Sequence, residues 1–242
     1  MRAIILAGGK GQRLRPYTTV LPKPLMPIGD MPILEVVLRQ LKAAGITRVT
    51  MAVGHLAELL QAFFGNGSRF GLAIDYSFEE KPLGTVGPLT LIDSLADERD
   101  FLVMNGDVLT TIDYSRLIAR HRDAGADVTI ATFRREVKID FGVIEAGADD
   151  LLTGYVEKPR FDYRVSMGIY CFDAKVLGRL QPGAYCDLPD LVKSLLAAGR
   201  KVASYPFDGY WLDMGRPDDY ATAIEEFETR RNEFLPPTEP GR

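Results

Sequence analysis

Short apolar runs alternate with amphipathic stretches through the first half of the chain, and that alternation leaves few folds open. Arg2–Ala7 is a β-branched and apolar run that stops at Gly8-Gly9. Beyond a long loop, Ile33, Leu34, Val37, Leu38 and Leu41 recur at helical spacing up to Gly45, which predicts an amphipathic helix with a glycine stop. Residues 49–53 read as a second strand, 56–64 as a helix and 72–77 as a strand. The pattern continues with a helix from about 86 to 95, a strand at 101–104 and a helix near 114–122. Strands separated by helices of this length predict a largely parallel sheet covered on both faces, with ligands beyond the carboxyl ends of the strands. Gly8-Gly9 and Asn105-Gly106-Asp107 both fall at such ends.

The second half changes character. Strand-like runs at 128–133, 141–145, 152–157 and 165–172 follow one another with few helical residues between them, which predicts mixed or antiparallel sheet. Helices return at 188–198 and 217–231 with a strand at 202–205 between them, and the proline-rich tail 236–242 is expected to be disordered.

A chain that is 46% hydrophobic and 26% charged can bury a sizeable core. No apolar run reaches the roughly 18 residues of a membrane span and no signal-peptide pattern precedes the first strand, so the cytoplasm is expected. Cys171 and Cys186 are too few for a disulfide framework or a cysteine metal site. The net charge of −4 disfavours nucleic acid and anionic membranes as partners. Its distribution says more: residues 1–30 carry Arg2, Lys10, Arg13, Arg15 and Lys23 against Asp30 alone, a local +4 that leaves −8 for the remainder. The first loop is built for an anion.

That loop, from Gly8 to about Gly29, holds four glycines and four prolines, too many breakers for a helix. Glycines let backbone N–H groups approach phosphates, Arg13 offers a planar fork for paired oxygens, and Lys23 a compact charge. It is no Walker loop, because no Gly-Lys-Ser/Thr follows at the required spacing. Nor is it the dinucleotide fingerprint, because Leu14 stands where the third glycine belongs. Kinase and dehydrogenase readings lose support accordingly. Asp107, at the end of an apolar strand, is placed to reach a divalent cation or to serve a turn. His55 and His121 read as surface or capping residues, Asp187 and Asp190 as caps of the helix at 188–198, and Asp218 and Asp219 as caps of the last helix. Tyr210 and Trp211 read as packing residues.

With Leu6-Ala7-Gly8-Gly9-Lys10-Gly11-Gln12-Arg13-Leu14, Pro22-Lys23-Pro24-Leu25, Asn105-Gly106-Asp107, Glu157-Lys158-Pro159 and Trp211-Leu212-Asp213-Met214-Gly215 in this order, the chain resembles the sugar-1-phosphate nucleotidyltransferases, also called nucleotide-sugar pyrophosphorylases, from Met1 to about Phe227. The resemblance implies an α/β, Rossmann-like and GT-A-like fold: a mixed, mostly parallel sheet flanked by helices, with a smaller β-rich portion. It implies one domain over 1–235, with a nucleotide-binding half to about 125 and a sugar-phosphate-binding half from about 126. Arg13, Lys23 and Asp107 would be catalytic. Leu6, Ala7, Gly8, Gly9, Gly11, Arg13, Glu80, Gly84 and Thr85 would bind nucleotide, and Gly142, Glu157, Lys158 and Gly168 the sugar phosphate. Asp107 and Asp213 would hold Mg²⁺. Ser166 stands where the family often has an asparagine, so the sugar contact expected there is shortened.

Glu79-Glu80-Lys81-Pro82-Leu83-Gly84-Thr85-Val86-Gly87-Pro88 looks more like the guanylyltransferases for mannose- or heptose-1-phosphate than like other members. The implied reaction is nucleotidyl transfer from GTP to mannose- or heptose-1-phosphate, Mg²⁺-dependent, giving a nucleotide-sugar and pyrophosphate. Uridylyl, thymidylyl or cytidylyl transfer to another sugar 1-phosphate stays open, as does a non-catalytic regulator that binds nucleotide-sugars. A homo-oligomer is compatible with the sequence but is not derivable from it. Family members often carry a C-terminal β-helix, and from its length this chain is expected to lack one.

Overall fold

The alternation of the first half becomes a seven-stranded sheet in the computed structural model, which describes residues 1–235. In chain order the chain forms β1 (Arg2–Ala7), the two-residue strands β2 (Pro27–Ile28) and β3 (Met31–Pro32), α1 (Ile33–Ala43), β4 (Arg48–Val53), α2 (Ala57–Phe64), β5 (Ala73–Phe78) and β6 (Asp100–Asn105). There follow β7 (Val108–Thr110), α3 (Tyr114–Ala124), β8 (Val128–Lys138), β9 (Val143–Ala146), β10 (Leu152–Val156) and β11 (Arg160–Asp173). The described chain closes with α4 (Leu188–Ala197), β12 (Val202–Phe207), β13 (Trp211–Asp213), α5 (Pro217–Thr229) and α6 (Arg231–Phe234). The tail expectation for 236–242 lies outside the described residues. No helix among the described residues is long and apolar enough to cross a membrane.

The sheet order is β12-β8-β11-β6-β1-β4-β5. Only β11 runs against its neighbours; the pairs β6–β1, β1–β4, β4–β5 and β8–β12 are parallel. From β1 the chain steps to β4 and β5 on one side and then returns to place β6 on the other. The crevice over β1 and β6 is therefore the switch point where such sheets bind ligands.

Alternating side chains of β1 sort to opposite faces. Ala3, Ile5 and Ala7 meet Leu34, Val37, Leu38 and Leu41 of α1 and Leu60 and Phe64 of α2. Ile4 joins Phe101, Val103, Phe172 and Leu188, Leu191 and Leu195 of α4 on the other face. Each large apolar side chain among them, once fully buried, contributes on the order of 1.5–3 kcal/mol, so the parallel strands β1, β4 and β6 are anchored from both sides. α3 starts where the Asp113 side chain accepts from the N–H groups of Ser115 and Arg116 (2.9 and 3.1 Å), a helix N-cap.

Four local expectations need correction. Residues 86–95 form two 3₁₀ turns, Gly87–Leu91 and Asp93–Leu95, broken at Ile92, instead of an α-helix. Pro88 lacks an N–H, and the N–H groups of Val86 and Gly87 are drawn away to the Cys186 carbonyl (3.0 and 3.1 Å). The loop after β1 contains three 3₁₀ turns, the last of which, Lys23–Leu25, carries Lys23. His121 is neither a surface residue nor a cap: it is buried, with Nδ1 2.9 Å from Thr129 Oγ1, and burial pushes its pKa down. Asp218 and Asp219 lie within the first turn of α5, with Arg216 at its N-cap and no side-chain cap.

A third cluster, with Ile28, Val36, Leu109, Met214, Phe227 and Phe234, packs the C-terminal helices under the early loop. Tyr220 donates to the Pro27 carbonyl (2.6 Å) and Arg231 pairs with Asp30 (2.6 Å). The segment carrying Lys23 is thus braced by residues some two hundred positions later in the chain.

Candidate active site

A cavity of about 930 Å³ opens at the carboxyl ends of β1, β4 and β6. Leu6, Ala7, Gly8, Gly9, Gly11, Arg13, Lys23, Glu80, Gly84, Thr85 and Asp107, read from the sequence as nucleotide-binding or catalytic, all line it. Gly54 and His55 line it too. Gly54 carries no sequence signal of its own and His55 reads as a surface or capping residue, although the rule that ligands bind beyond strand ends applies equally to the end of β4.

The acidic centre is assembled by strand pairing. β6 ends at Asn105, Asp107 follows, and β7 pairs antiparallel with β13 so that Asp213 lies opposite Val108. Met214 N–H donates to the Asp107 carbonyl (3.3 Å). Two acids distant in sequence thereby face one cation: the Lys23 ammonium pairs with Asp107 and stands 3.6 Å from Asp213 Oδ1. Burial pushes the Asp107 carboxyl up, Lys23 opposes that, and Asp213 adds to it. A Cβ placed on Gly215 would lie 3.4 Å from both terminal nitrogens of Arg13, so that guanidinium rests on the backbone just past Asp213. Arg13, Lys23, Asp107 and Asp213 form one constellation.

Two carboxylates converging on a single positive charge suit a hard divalent cation, which takes one or two protein carboxylates and completes its shell with phosphate oxygens and water. Among the described residues no group of three or more His, Cys, Asp or Glu gathers at one point, unlike the donor sets of structural zinc sites.

At the far end of the cavity the 79–87 loop is held from behind. Glu79 accepts from Leu83 N–H (2.9 Å), and burial pushes its carboxyl up. Thr85 donates from N–H (3.0 Å) and hydroxyl (3.3 Å) to Asp187 Oδ1, and its oxygen accepts from Leu188 N–H (2.7 Å). Asp187 therefore occupies the N-cap position of α4 without capping it; Thr85 takes the orphan N–H instead. Asp190, read as a second cap, lies in the helix's first turn. Tyr185 joins the cavity wall, and nothing in its local sequence marks it.

The sugar-phosphate set lies elsewhere. Gly168 is in β11, where an added Cβ would come within 2.6 Å of Asn105 Nδ2, so it borders a cavity residue. Gly142 faces the Tyr155 ring, and Glu157 accepts from the Tyr155 hydroxyl (2.9 Å). Lys158 has a left-handed backbone (φ 45°), uncommon for a residue with a side chain, and its ammonium stands 3.8 Å from Glu157. Gly142, Glu157 and Lys158 do not line the cavity. Ser166 donates to the Tyr170 hydroxyl (3.1 Å) and accepts from Gly168 N–H (3.4 Å). Trp211 packs on Phe133 and donates to the Met167 carbonyl (3.0 Å), and Tyr210 packs against Phe234, both as expected of packing residues.

Residues 2–230 match the family described as nucleotidyl transferase. The chain is 36% identical to a mannose-1-phosphate guanylyltransferase of Mycobacterium tuberculosis, over 90% of this chain and 62% of that protein. It is 35% identical to a UTP–glucose-1-phosphate uridylyltransferase of Synechocystis, over 93% and 62%. The chain spans about 62% of the length of these curated relatives. Among solved structures, a putative glucose-1-phosphate thymidylyltransferase from Bacillus anthracis shares 25% identity with a TM-score of 0.76, covering 100% of this chain and 98% of that one. HddC from Yersinia pseudotuberculosis, also crystallised with GMP-PN, shares the fold at 23% identity and a TM-score of 0.72, over 93% and 99%.

Proposed function

The chain belongs to the nucleotidyl transferase family, and from that premise we propose that it transfers a nucleotidyl group from a nucleoside triphosphate to a sugar 1-phosphate, releasing pyrophosphate. GTP and mannose- or heptose-1-phosphate are the favoured pair. The observation that carries this reading is the cluster of Lys23, Asp107, Asp213 and Arg13, of which Arg13, Lys23 and Asp107 line a nucleotide-sized cavity.

The chemistry asks little of a base. A phosphomonoester has a second pKa near 6, so at neutral pH the attacking sugar-phosphate oxygen is already mostly ionised. The obstacle is charge: the two substrates together bring roughly −5 to −6 into one crevice, at about −2 per phosphomonoester and a like terminal phosphate. Arg13 stabilises the developing charge on the leaving pyrophosphate, Lys23 turns from its carboxylates to the α-phosphate, and Lys158 holds the incoming phosphate. Asp107 and Asp213 would hold Mg²⁺, which supplies positive charge beside the α-phosphate when bound. The left-handed turn at Lys158 is consistent with a side chain displayed for a ligand.

Pyrophosphate release from GTP, UTP, CTP and dTTP, each paired with mannose-, heptose- and glucose-1-phosphate, tests the proposal. GTP with one of the first two acceptors should turn over fastest, and EDTA should stop it. Silence across the whole matrix in excess Mg²⁺ would overturn nucleotidyl transfer and leave a nucleotide-sugar-binding regulator. The identity to a uridylyltransferase keeps UTP as the second base to watch.

A further inference from the structure

The motif around Gly84 and Thr85 invites assignment of the nucleobase to those residues, yet most of their contacts point away from the cavity. A Cβ on Gly84 would stand 2.6 Å from the Cys186 carbonyl, and one on Gly87 would stand 2.6 Å from the Ala184 carbonyl. These glycines make room for another backbone, a recognised use of glycine. Val86 and Gly87 N–H groups donate to Cys186, and Cys186 N–H returns to the Leu83 carbonyl (2.9 Å). Thr85 spends its hydroxyl on Asp187 and Leu188. The 83–87 loop is thus fastened along its length to residues 184–188.

The side chain that this junction presents to the cavity is Tyr185. Its residue is 62% exposed, yet it belongs to the cavity wall with Glu80 and Gly84. Its hydroxyl donates to the same Asp187 carboxylate that holds Thr85, on the other oxygen. One carboxylate therefore fixes both the 83–87 loop and the ring beside it. An aromatic ring held in place at low entropic cost is a ready surface for a base, because every base offers a π-face.

We propose that Tyr185 is a specificity-determining residue of the nucleotide site, its ring stacking on the nucleobase, with Asp187 as its positioning residue. The inference rests on the nucleotidyl-transfer reading but is tested separately from it. Fluorescently labelled GTP and UTP are titrated, with Mg²⁺ and without sugar phosphate, into wild type, Tyr185→Phe and Tyr185→Ala, and the KM values for nucleotide and sugar phosphate are measured beside them. Tyr185→Ala should weaken GTP binding about tenfold or more, on the scale of one lost stack. It should weaken UTP binding less, because the pyrimidine face is smaller, and leave kcat and the sugar-phosphate KM within about twofold. Tyr185→Phe keeps the ring but loses the Asp187 anchor, so it should cost only about two- to threefold. Unchanged GTP affinity in Tyr185→Ala, or an effect confined to the sugar-phosphate KM, would overturn the assignment. A wild type that binds GTP but releases no pyrophosphate would sink the transferase reading, and the titration would still decide Tyr185.

Discussion

The wall of the site built from residues 6–24, 79–87 and 105–107 hangs on four parallel strands, three of them packed on both faces. The arm carrying Gly142, Glu157 and Lys158 is a two-stranded ribbon, β9–β10, beside the outer reach of β8 and β11. In the first region most of the residues assigned to the site already line one cavity, and Lys23 is paired with Asp107 and Asp213. In the second, Phe141, Ile144, Tyr155 and Val156 are each more than half exposed, and the ion pairs are surface ones such as Arg134–Asp162 (2.6 Å) and Arg160–Glu136 (3.0 Å). A two-stranded ribbon without a packed face has little to hold it rigid. On the proposed roles, the nucleotide side of the site is pre-formed by packing, whereas the sugar side is a ribbon with little packed behind it.

The sharpest way to break that comparison is at the acidic centre. Asp107→Asn should lower kcat by about 100- to 1000-fold, the scale of one lost electrostatic stabiliser, while the sugar-phosphate KM moves little; near-normal turnover would remove Asp107 from the mechanism. On the other side, Lys158→Ala should raise the sugar-phosphate KM by about tenfold, as for one charge-assisted contact, and leave labelled-GTP affinity unchanged. A loss of nucleotide affinity there would mean that the two regions are not separate.

Two glycines sharpen the comparison in stability. Gly84 has φ +81° and backbone 2.6 Å from its missing Cβ, so Gly84→Ala should destabilise the protein by about 1–3 kcal/mol. Gly142 abuts only the hydroxyl end of an exposed tyrosine, so Gly142→Ala should leave the melting temperature nearly unchanged as the ring swings outward.

A pH series separates the regions further. At the start of β6, Asp100 accepts two hydrogen bonds from Arg122 (2.7 and 2.9 Å), which hold its carboxyl below the ordinary value of 3.8 against the opposing effect of burial. Because the folded pKa is depressed, the stabilisation is complete above about pH 4 to 5, near the unfolded carboxylate range. It is lost as pH falls through the folded value. The stability gap between wild type and Asp100→Asn should therefore be wide at pH 7 and shrink as the pH falls below the unfolded carboxylate range; a constant gap would refute the linkage. The smallest effect belongs to the arm, where Arg134→Ala removes a fully exposed pair and should produce no measurable shift in melting temperature.

Much of the fold was legible because its signals are local. The 3.6-residue period of α1 and the apolar run of β1 each follow from a dozen neighbouring residues or fewer, and the glycines and basic residues of the loop with Arg13 and Lys23 lie within one stretch of chain. The helix expected over 86–95 failed because its outcome was decided by Cys186, a residue of another loop. His121 was misplaced because burial of a helix face depends on what packs there, here β8 through Thr129.

Periodicity alone was sufficient for the layered βα architecture, since backbone preference and apolar patterning act over short distances. The meeting of Asp107 with Asp213, the ammonium shared between them, the joint of 83–87 with 184–188 and the placing of Tyr185 arose only on folding. They depend on strand register and loop contacts between residues from about a hundred to nearly two hundred positions apart, and no repeating pattern in the chain records such a contact.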